Sequence, residues 1–371
     1  MGNTNAEKNW RTYRERELAS VTPILQKLGF RLDEVQVHTG GERFLMVGER
    51  DVGGGGYKLV LLGTRTKDGK RVVIKVSSDG NGIREIETER DSRETLRTLT
   101  FSYRPFQAPE EVLYTMHAPY RIFITEYIEQ ERPFLARPIE EQFALALDTF
   151  KAQESVHATT SSHARVIRHT FGIWRAREYL ASLDKFIAGA TRADAANTNL
   201  RTVLARAREY LIERQHLIEQ YSGFLTHADF VPHNLRVQSG KVYLLDSASL
   251  HFGNKYESWA RFLNFMVLYN RPLEEALAEY VANNRTPEES EALRLMRIYK
   301  LGTLLEYYAG TLSKTEGALR ELNEKRMIFW LEVLTSLLDG NRLPDEHIAT
   351  YRKERDALRS DEEKKRQEAL H

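Results

Sequence analysis

The period of the hydrophobic positions changes several times along the chain, and the changes outline two halves. Before about residue 35, Trp10, Tyr13 and Leu18 recur at loosely helical spacing, and Thr22 and Pro23 read as the cap and first position of a short helix that Gly29 closes. From Val35 to Ser78 the pattern becomes strand-like. Arg43–Asp51, Tyr57–Thr66 and Arg71–Ser77 are three β-rich runs, separated by the glycines Gly53–Gly56 and by the turn signal Lys67–Lys70. Ile83–Leu99 predicts a charged helix whose inner face passes through Leu99, Leu96, Ser92, Glu89 and Glu85. Glu110–Thr115 and Tyr120–Glu129 then predict two more strands, completing a small α+β lobe.

From Ile139 the 3.6-residue period dominates. Ile139–Ala158, Phe171–Ile187 and Leu200–Tyr221 are amphipathic helices, and a helical stretch runs from about Tyr256 to Leu338, where Asp339-Gly340 is a stop. One short block breaks the series: a strand before Thr226, a polar loop, and a hairpin turned at Ser239-Gly240 and closed by Lys241–Asp246. The closing mixed-charge run reads as a solvated or frayed helix. The pattern divides into a helical extension (1–34), a β-rich lobe (35–127), a helical lobe (128–345) and a charged tail (346–371).

Composition narrows the classes. The chain has 371 residues, with 54 Lys and Arg against 53 Asp and Glu, a balance that argues against a nucleic-acid binder. The absence of cysteine excludes disulfides, thiolate metal sites and cysteine nucleophiles. No signal-length or membrane-length apolar run occurs, so the expected setting is the cytoplasm, with no membrane span.

The segment with most chemistry is Thr226–Ser249. Asp229 and Asn234 share one loop between two strands, and Asp246 ends the next strand. Phosphoryl transfer needs a carboxylate to orient the attacking hydroxyl and hard oxygen ligands for Mg²⁺, and these three side chains supply both. His227, His233 and His251 match no zinc spacing, and the stripe Trp259, Phe262, Leu263, Met266 reads as helix core.

His227-Ala228-Asp229-Phe230-Val231-Pro232-His233-Asn234 resembles the HGDxxxxN catalytic loop of aminoglycoside phosphotransferases and choline-kinase-like enzymes, which is related to the HRDxxxxN loop of protein kinases. The resemblance spans about residues 40–270 and implies a bilobal protein kinase-like α+β fold that uses ATP and Mg²⁺. By it, Asp229 is the catalytic base, and Asn234 and Asp246 are the metal ligands. Lys75 is the phosphate-binding lysine, with Glu89 as its helix partner ahead of Glu85 and Asp91. Gly53, Gly54, Gly55 and Gly56 cover the phosphates, and the backbone at Glu126, Tyr127 and Ile128 meets the base.

Three departures stand out: Ala228 for the usual Gly, Ser247-Ala248 after Asp246, and Ser258 or Glu257 where the family has Asp in its next helix. The implied function is phosphorylation of a hydroxyl on a small molecule. The alternatives are a nucleotide-binding pseudokinase serving as a scaffold, or a protein kinase; the lack of Arg before Asp229 and of an APE-like segment argues against the latter. Glu178, Asp184, Glu209 and Glu213 would suit an aminoglycoside, whereas Trp174, Tyr179 and Tyr307 would suit a choline-type cation. The sequence leaves the acceptor, the choice of ATP or GTP and the oligomeric state open.

Overall fold

The computed structural model describes residues 5–34, 36, 58–99, 107–157, 161–359 and 364. The strand expected at Arg43–Asp51 and the glycines Gly53–Gly56 lie outside the described residues.

The first element corrects the sequence reading. Helix α1 (Asn5–Lys27) runs unbroken through Pro23. Thr22 does not cap a new helix; its hydroxyl donates to the Leu18 carbonyl (2.6 Å), one turn back. Val21 and Leu25, both fully buried, carry the apolar face of α1 across the proline onto the sheet. That packing outweighs a local penalty of about 3 kcal/mol. Gly29, at φ +86°, turns the chain into β1 (Phe30–Leu32), a strand that the sequence pattern did not signal.

β1 pairs with β2 (Leu59–Arg65), which continues through β3 (Arg71–Ser77), β5 (Tyr120–Glu126) and β4 (Glu111–His117) in an antiparallel sheet of order β1-β2-β3-β5-β4. Leu59, Leu61, Val72, Ile74 and Val76 alternate onto the face covered by α1. The intervening residues, Lys75 among them, face the other way. Helix α2 (Gly80–Thr98) packs on that second side, its first turn capped by Asp79, which accepts from the Asn81 and Gly82 amides at 3.0 Å. Ile86, Glu89 and Ser92 form its buried stripe. Leu96 and Leu99 pack instead into the core of the second lobe, and the Thr95 hydroxyl meets that of Thr170 at 3.0 Å.

The second lobe is helical around a small β block. Helices α3 (Ile139–Glu154), α4 (Ser161–Thr170), α5 (Ala176–Ala193), α6 (Thr198–Glu213) and α7 (Gln215–Gln220) precede it. The expected helix at Phe171–Ile187 starts late because Gly172, at φ +70°, breaks the chain; the expected Leu200–Tyr221 helix divides at Arg214. In the β block, β6 (Phe224–His227) pairs with β9 (Leu250–Gly253), and β7 (Leu235–Gln238) pairs with β8 (Lys241–Leu244).

The long helical run then resolves into α8 (Glu257–Tyr269), α9 (Arg271–Asn284), α10 (Pro287–Leu312) and α11 (Gly317–Leu338). Asn270 and Thr286 cap α9 and α10, which is why the run breaks there. Trp259 of α8 stacks on Phe150 of α3 at 4.1 Å in the middle of the core. Part of the charged terminal run is docked: in α12 (Asp345–Leu358), Ile348 is buried and Tyr351 stacks on Phe329 at 4.2 Å. Among the described residues, no helix is long and apolar enough to cross a membrane.

Candidate active site

The β block fixes a loop, residues 228–234, by its ends. The Ala228 amide donates to the Ser249 carbonyl at 2.8 Å, and the Leu245 amide donates to the Asn234 carbonyl at 2.8 Å. His227, fully buried, points Nε2 at the carbonyls of Leu245 (3.3 Å) and Asp246 (3.1 Å). Carbonyls only accept, so Nε2 carries the proton, and burial pushes the imidazole pKa down and keeps it neutral. His227 is therefore a peg that ties the loop to the strand ending at Asp246. Beneath it, Ser258 of α8 accepts from the His227 amide at 2.8 Å and meets the Thr226 hydroxyl at 2.8 Å. Of the two residues the resemblance offered at this point, Ser258 supports the loop. Glu257 turns away to Lys300 (2.6 Å), His251 (2.8 Å) and the Tyr179 hydroxyl (2.5 Å).

Asp229 projects from the loop with its side chain 41% exposed. Its Oδ1 accepts from Arg261 Nε (2.9 Å) and Nη2 (2.8 Å), and its Oδ2 accepts from Asn234 Nδ2 (3.2 Å). Desolvation raises the carboxyl pKa, but the charge and hydrogen bonds of the Arg261 guanidinium, with His233 beside it, outweigh it and hold the group well below the usual carboxylate range. Asp229 is thus an ionised acceptor at any ordinary pH. Arg261 went unnoticed in the sequence because the apolar stripe of α8 drew attention to its other face; a lone cation in "ESWARFLNFMVLY" was the available signal.

Asn234 donates its amide hydrogens to the Asp229 carbonyl (2.8 Å) and carboxylate (3.2 Å), neither of which uses Oδ1. Asp246 sits at φ 55°, ψ 57°, a left-handed conformation that a non-glycine residue keeps only when its surroundings enforce it. The His227 peg and the Ser249 hydroxyl, which donates to Oδ2 at 2.7 Å, do so. Burial raises the Asp246 pKa, and the nearby Lys75, the Ser249 bond and Lys58 more than reverse that, so it too is ionised. One carboxylate and one amide oxygen fit Mg²⁺, which completes its shell with water and phosphate oxygens. Among the described residues no cluster of three or more His, Asp or Glu could hold a metal alone.

On the sheet, Lys75 Nζ meets both oxygens of Glu89 at 2.5 Å, with Glu89 almost fully buried. Glu85, one turn earlier on α2, pairs with Lys58 at 3.2 Å, and Asp91 is exposed on another face. A short helical turn at Ser247–Ser249, directly after Asp246, packs against α2, so the lysine pair and the metal ligand share one support. Glu126, Tyr127 and Ile128 link the lobes at the end of β5. The Tyr127 amide donates to the Arg71 carbonyl (3.1 Å), and the Arg71 guanidinium stacks on the Tyr127 ring at 4.2 Å.

Most of the side chains weighed for the acceptor are occupied. Tyr179 is buried against Glu257, Glu178 accepts from the Arg175 amide (3.0 Å), Asp184 pairs with Arg208 (2.6 Å) and Glu213 with Arg214 (2.8 Å).

No protein-family model and no curated protein sequence matches the chain. Solved structures do. Aminoglycoside phosphotransferase APH(2'')-Ib, with ADP bound, superposes with TM-score 0.54 at 15% identity, covering 86% of this chain and 99% of that one. A thermostable mutant of aminoglycoside phosphotransferase APH(4)-Ia, apo form, gives 0.51 at 14% identity, over 90% and 96%. Macrolide 2'-phosphotransferase MphH from Brachybacterium faecium gives 0.51 at 14% identity, over 84% and 98%. The chain therefore has the bilobal, protein kinase-like α+β fold of the aminoglycoside and macrolide phosphotransferases.

Proposed function

We propose that the protein binds ATP with Mg²⁺ between its lobes and transfers the γ-phosphate to a hydroxyl of a small molecule. One observation carries the reading: Asp229, paired with Arg261 and bonded by Asn234, stands on the loop that the His227 peg ties to Asp246, and the turn after Asp246 packs on the helix that presents Glu89 to Lys75. In support, related folds have been solved as complexes, among them APH(4)-Ia with ADP and hygromycin B.

Asp229 Oδ2 accepts the hydrogen bond of the acceptor hydroxyl and orients its oxygen toward phosphorus. The new O–P bond forms as the bond between the γ-phosphorus and the β–γ bridging oxygen breaks, and the hydroxyl proton passes to Asp229 while ADP leaves. Arg261 lowers the basicity of Asp229, which suits a loose transition state in which the proton moves late. Lys75, pinned by Glu89, offsets charge on the α- and β-phosphates, and the backbone of Glu126–Ile128 receives the base. Asn234 and Asp246 would hold Mg²⁺, which neutralises charge developing between the phosphates.

Thermal unfolding with ATP, with and without Mg²⁺, tests the cleft. Ligand at about 100 times its Kd should stabilise by ~2.7 kcal/mol, a shift of a few degrees. Asp229→Asn should retain that shift and lose at least ~10²-fold in turnover. Absence of any nucleotide-dependent shift in the wild type refutes the reading.

A further inference from the structure

We infer that His233 seats the acceptor oxygen beside Asp229: the hydroxyl donates to Asp229 Oδ2 and accepts from His233 Nε2, which leaves a single lone pair to aim at phosphorus. This rests on the phosphotransferase reading above and deepens it by naming a second residue that touches the nucleophile.

Arg261 takes up Oδ1 of Asp229, so Oδ2 is the oxygen left to meet a hydroxyl. His233 stands four residues further along the same loop, with its Nε2 3.9 Å from that Oδ2. Other histidines close on their carboxylates: His251 reaches Glu257 at 2.8 Å, and His347 reaches Glu332 at 3.3 Å. A gap of 3.9 Å is too wide for a direct hydrogen bond. It is the right width for an oxygen between the two, about 2.8 Å from each. The side chains of Asp229 and His233 are 41% and 30% exposed, so such an oxygen can enter from solvent.

One helix sets the width of this gap. Arg261 and Phe265 lie one turn apart on α8. The first holds Oδ1; the second meets the His233 ring edge-on, with centroids 6.1 Å apart. Phe265 is itself buried and stacks on Tyr269, a further turn along, at 4.1 Å. Behind the ring, the His233 carbonyl accepts from Arg236 Nη1 at 3.3 Å, and the Asn234 amide donates to the Val231 carbonyl at 2.9 Å, closing the short turn that carries His233. Both walls of the gap are therefore braced.

A hydroxyl oxygen carries one proton and two lone pairs. Asp229 alone would take the proton and let the oxygen swing about that bond. A donor on one lone pair stops the swing and fixes the direction of the other, and orientation of this kind is what a loose transition state rewards. The seat makes no demand beyond an oxygen with a proton, so water fits it, and slow hydrolysis of ATP without an acceptor is a consequence.

The test measures phosphate release from MgATP, with water as the acceptor, beside calorimetric titration of MgATP into wild type, His233→Ala and His233→Gln. Glutamine replaces the ring by an amide N–H of similar reach. His233→Ala should lower kcat for phosphate release about 10-fold, the worth of one hydrogen bond, with MgATP affinity within twofold of wild type. His233→Gln should recover most of the rate. Three results overturn the inference: kcat of His233→Ala within twofold of wild type, an equal loss of MgATP affinity, or a His233→Gln as slow as His233→Ala. A wild type that binds MgATP and releases no phosphate overturns it too, whereas a wild type that binds no nucleotide refutes the underlying reading first.

Discussion

Replacing Arg261 by Met isolates the device that keeps Asp229 ionised. The guanidinium reaches Oδ1 through two nitrogens at 2.8 and 2.9 Å, so the charge centres stand roughly 4 Å apart. Two such charges attract by ~4 kcal/mol at an effective dielectric constant near 20. The Asp229 side chain is 41% exposed, and solvent screening reduces the net worth of the pair to ~1–2 kcal/mol. Without the guanidinium the Asp229 pKa should rise toward the ordinary carboxylate value near 3.9. The sign follows from the lowered native pKa: the pair's stabilisation is present above the unfolded-state pKa and is lost as pH falls through the native one. A double-mutant cycle of Arg261→Met with Asp229→Asn, read by urea unfolding, should give a coupling of ~1–2 kcal/mol at pH 7 that shrinks below pH 4. Turnover should fall about tenfold as the carboxylate loses its fixed orientation. A coupling indistinguishable from zero at pH 7 refutes the electrostatic account.

Two further perturbations address the supports of the site. Lys75→Met should weaken MgATP binding at least ~10-fold and, by stranding the buried Glu89, lower stability by ~3 kcal/mol; Lys75→Met with Glu89→Gln should regain much of the stability but not the affinity. Lys300→Met removes a cation from Glu257, which is 1% exposed and, despite burial that raises its pKa, is held low by His251 and Lys300. The expected loss is ~3–5 kcal/mol at pH 7, measured by urea unfolding. It should narrow as pH falls below about 4, because a lowered carboxyl pKa stabilises fully above its unfolded value near 4.3 and progressively less down through the native one. A loss independent of pH would show that Lys300 matters for packing alone.

The parts legible in the sequence are those set by short-range rules. The five-residue step from Asp229 to Asn234 spans one loop, and the hairpin that follows carries Asp246 back beside it, so spacing alone brings the three together. The resemblance implied that Lys75 pairs with a helix carboxylate, and the phase of Leu96 and Leu99 put Glu89 on the inner face, where the structure has it. What escaped depends on tertiary packing. Arg261 comes from an apolar helix, where a single cation reads as an ordinary solvated residue until its surroundings are known. The same holds for Pro23, whose local signal for a helix start yields to the burial of Val21 and Leu25.

Helix α2 belongs to both lobes: its first half supplies Glu89 to the sheet, and its end lodges Leu96 and Leu99 in the helical core, tied by Thr95 to Thr170. Any movement of the small lobe that keeps Glu89 on Lys75 must therefore be matched by a shift of Leu96 and Leu99 against the helical core. Translation of α2 along its own length is the motion the arrangement resists, because it would pull on the turn after Asp246 and on the second lobe's core together.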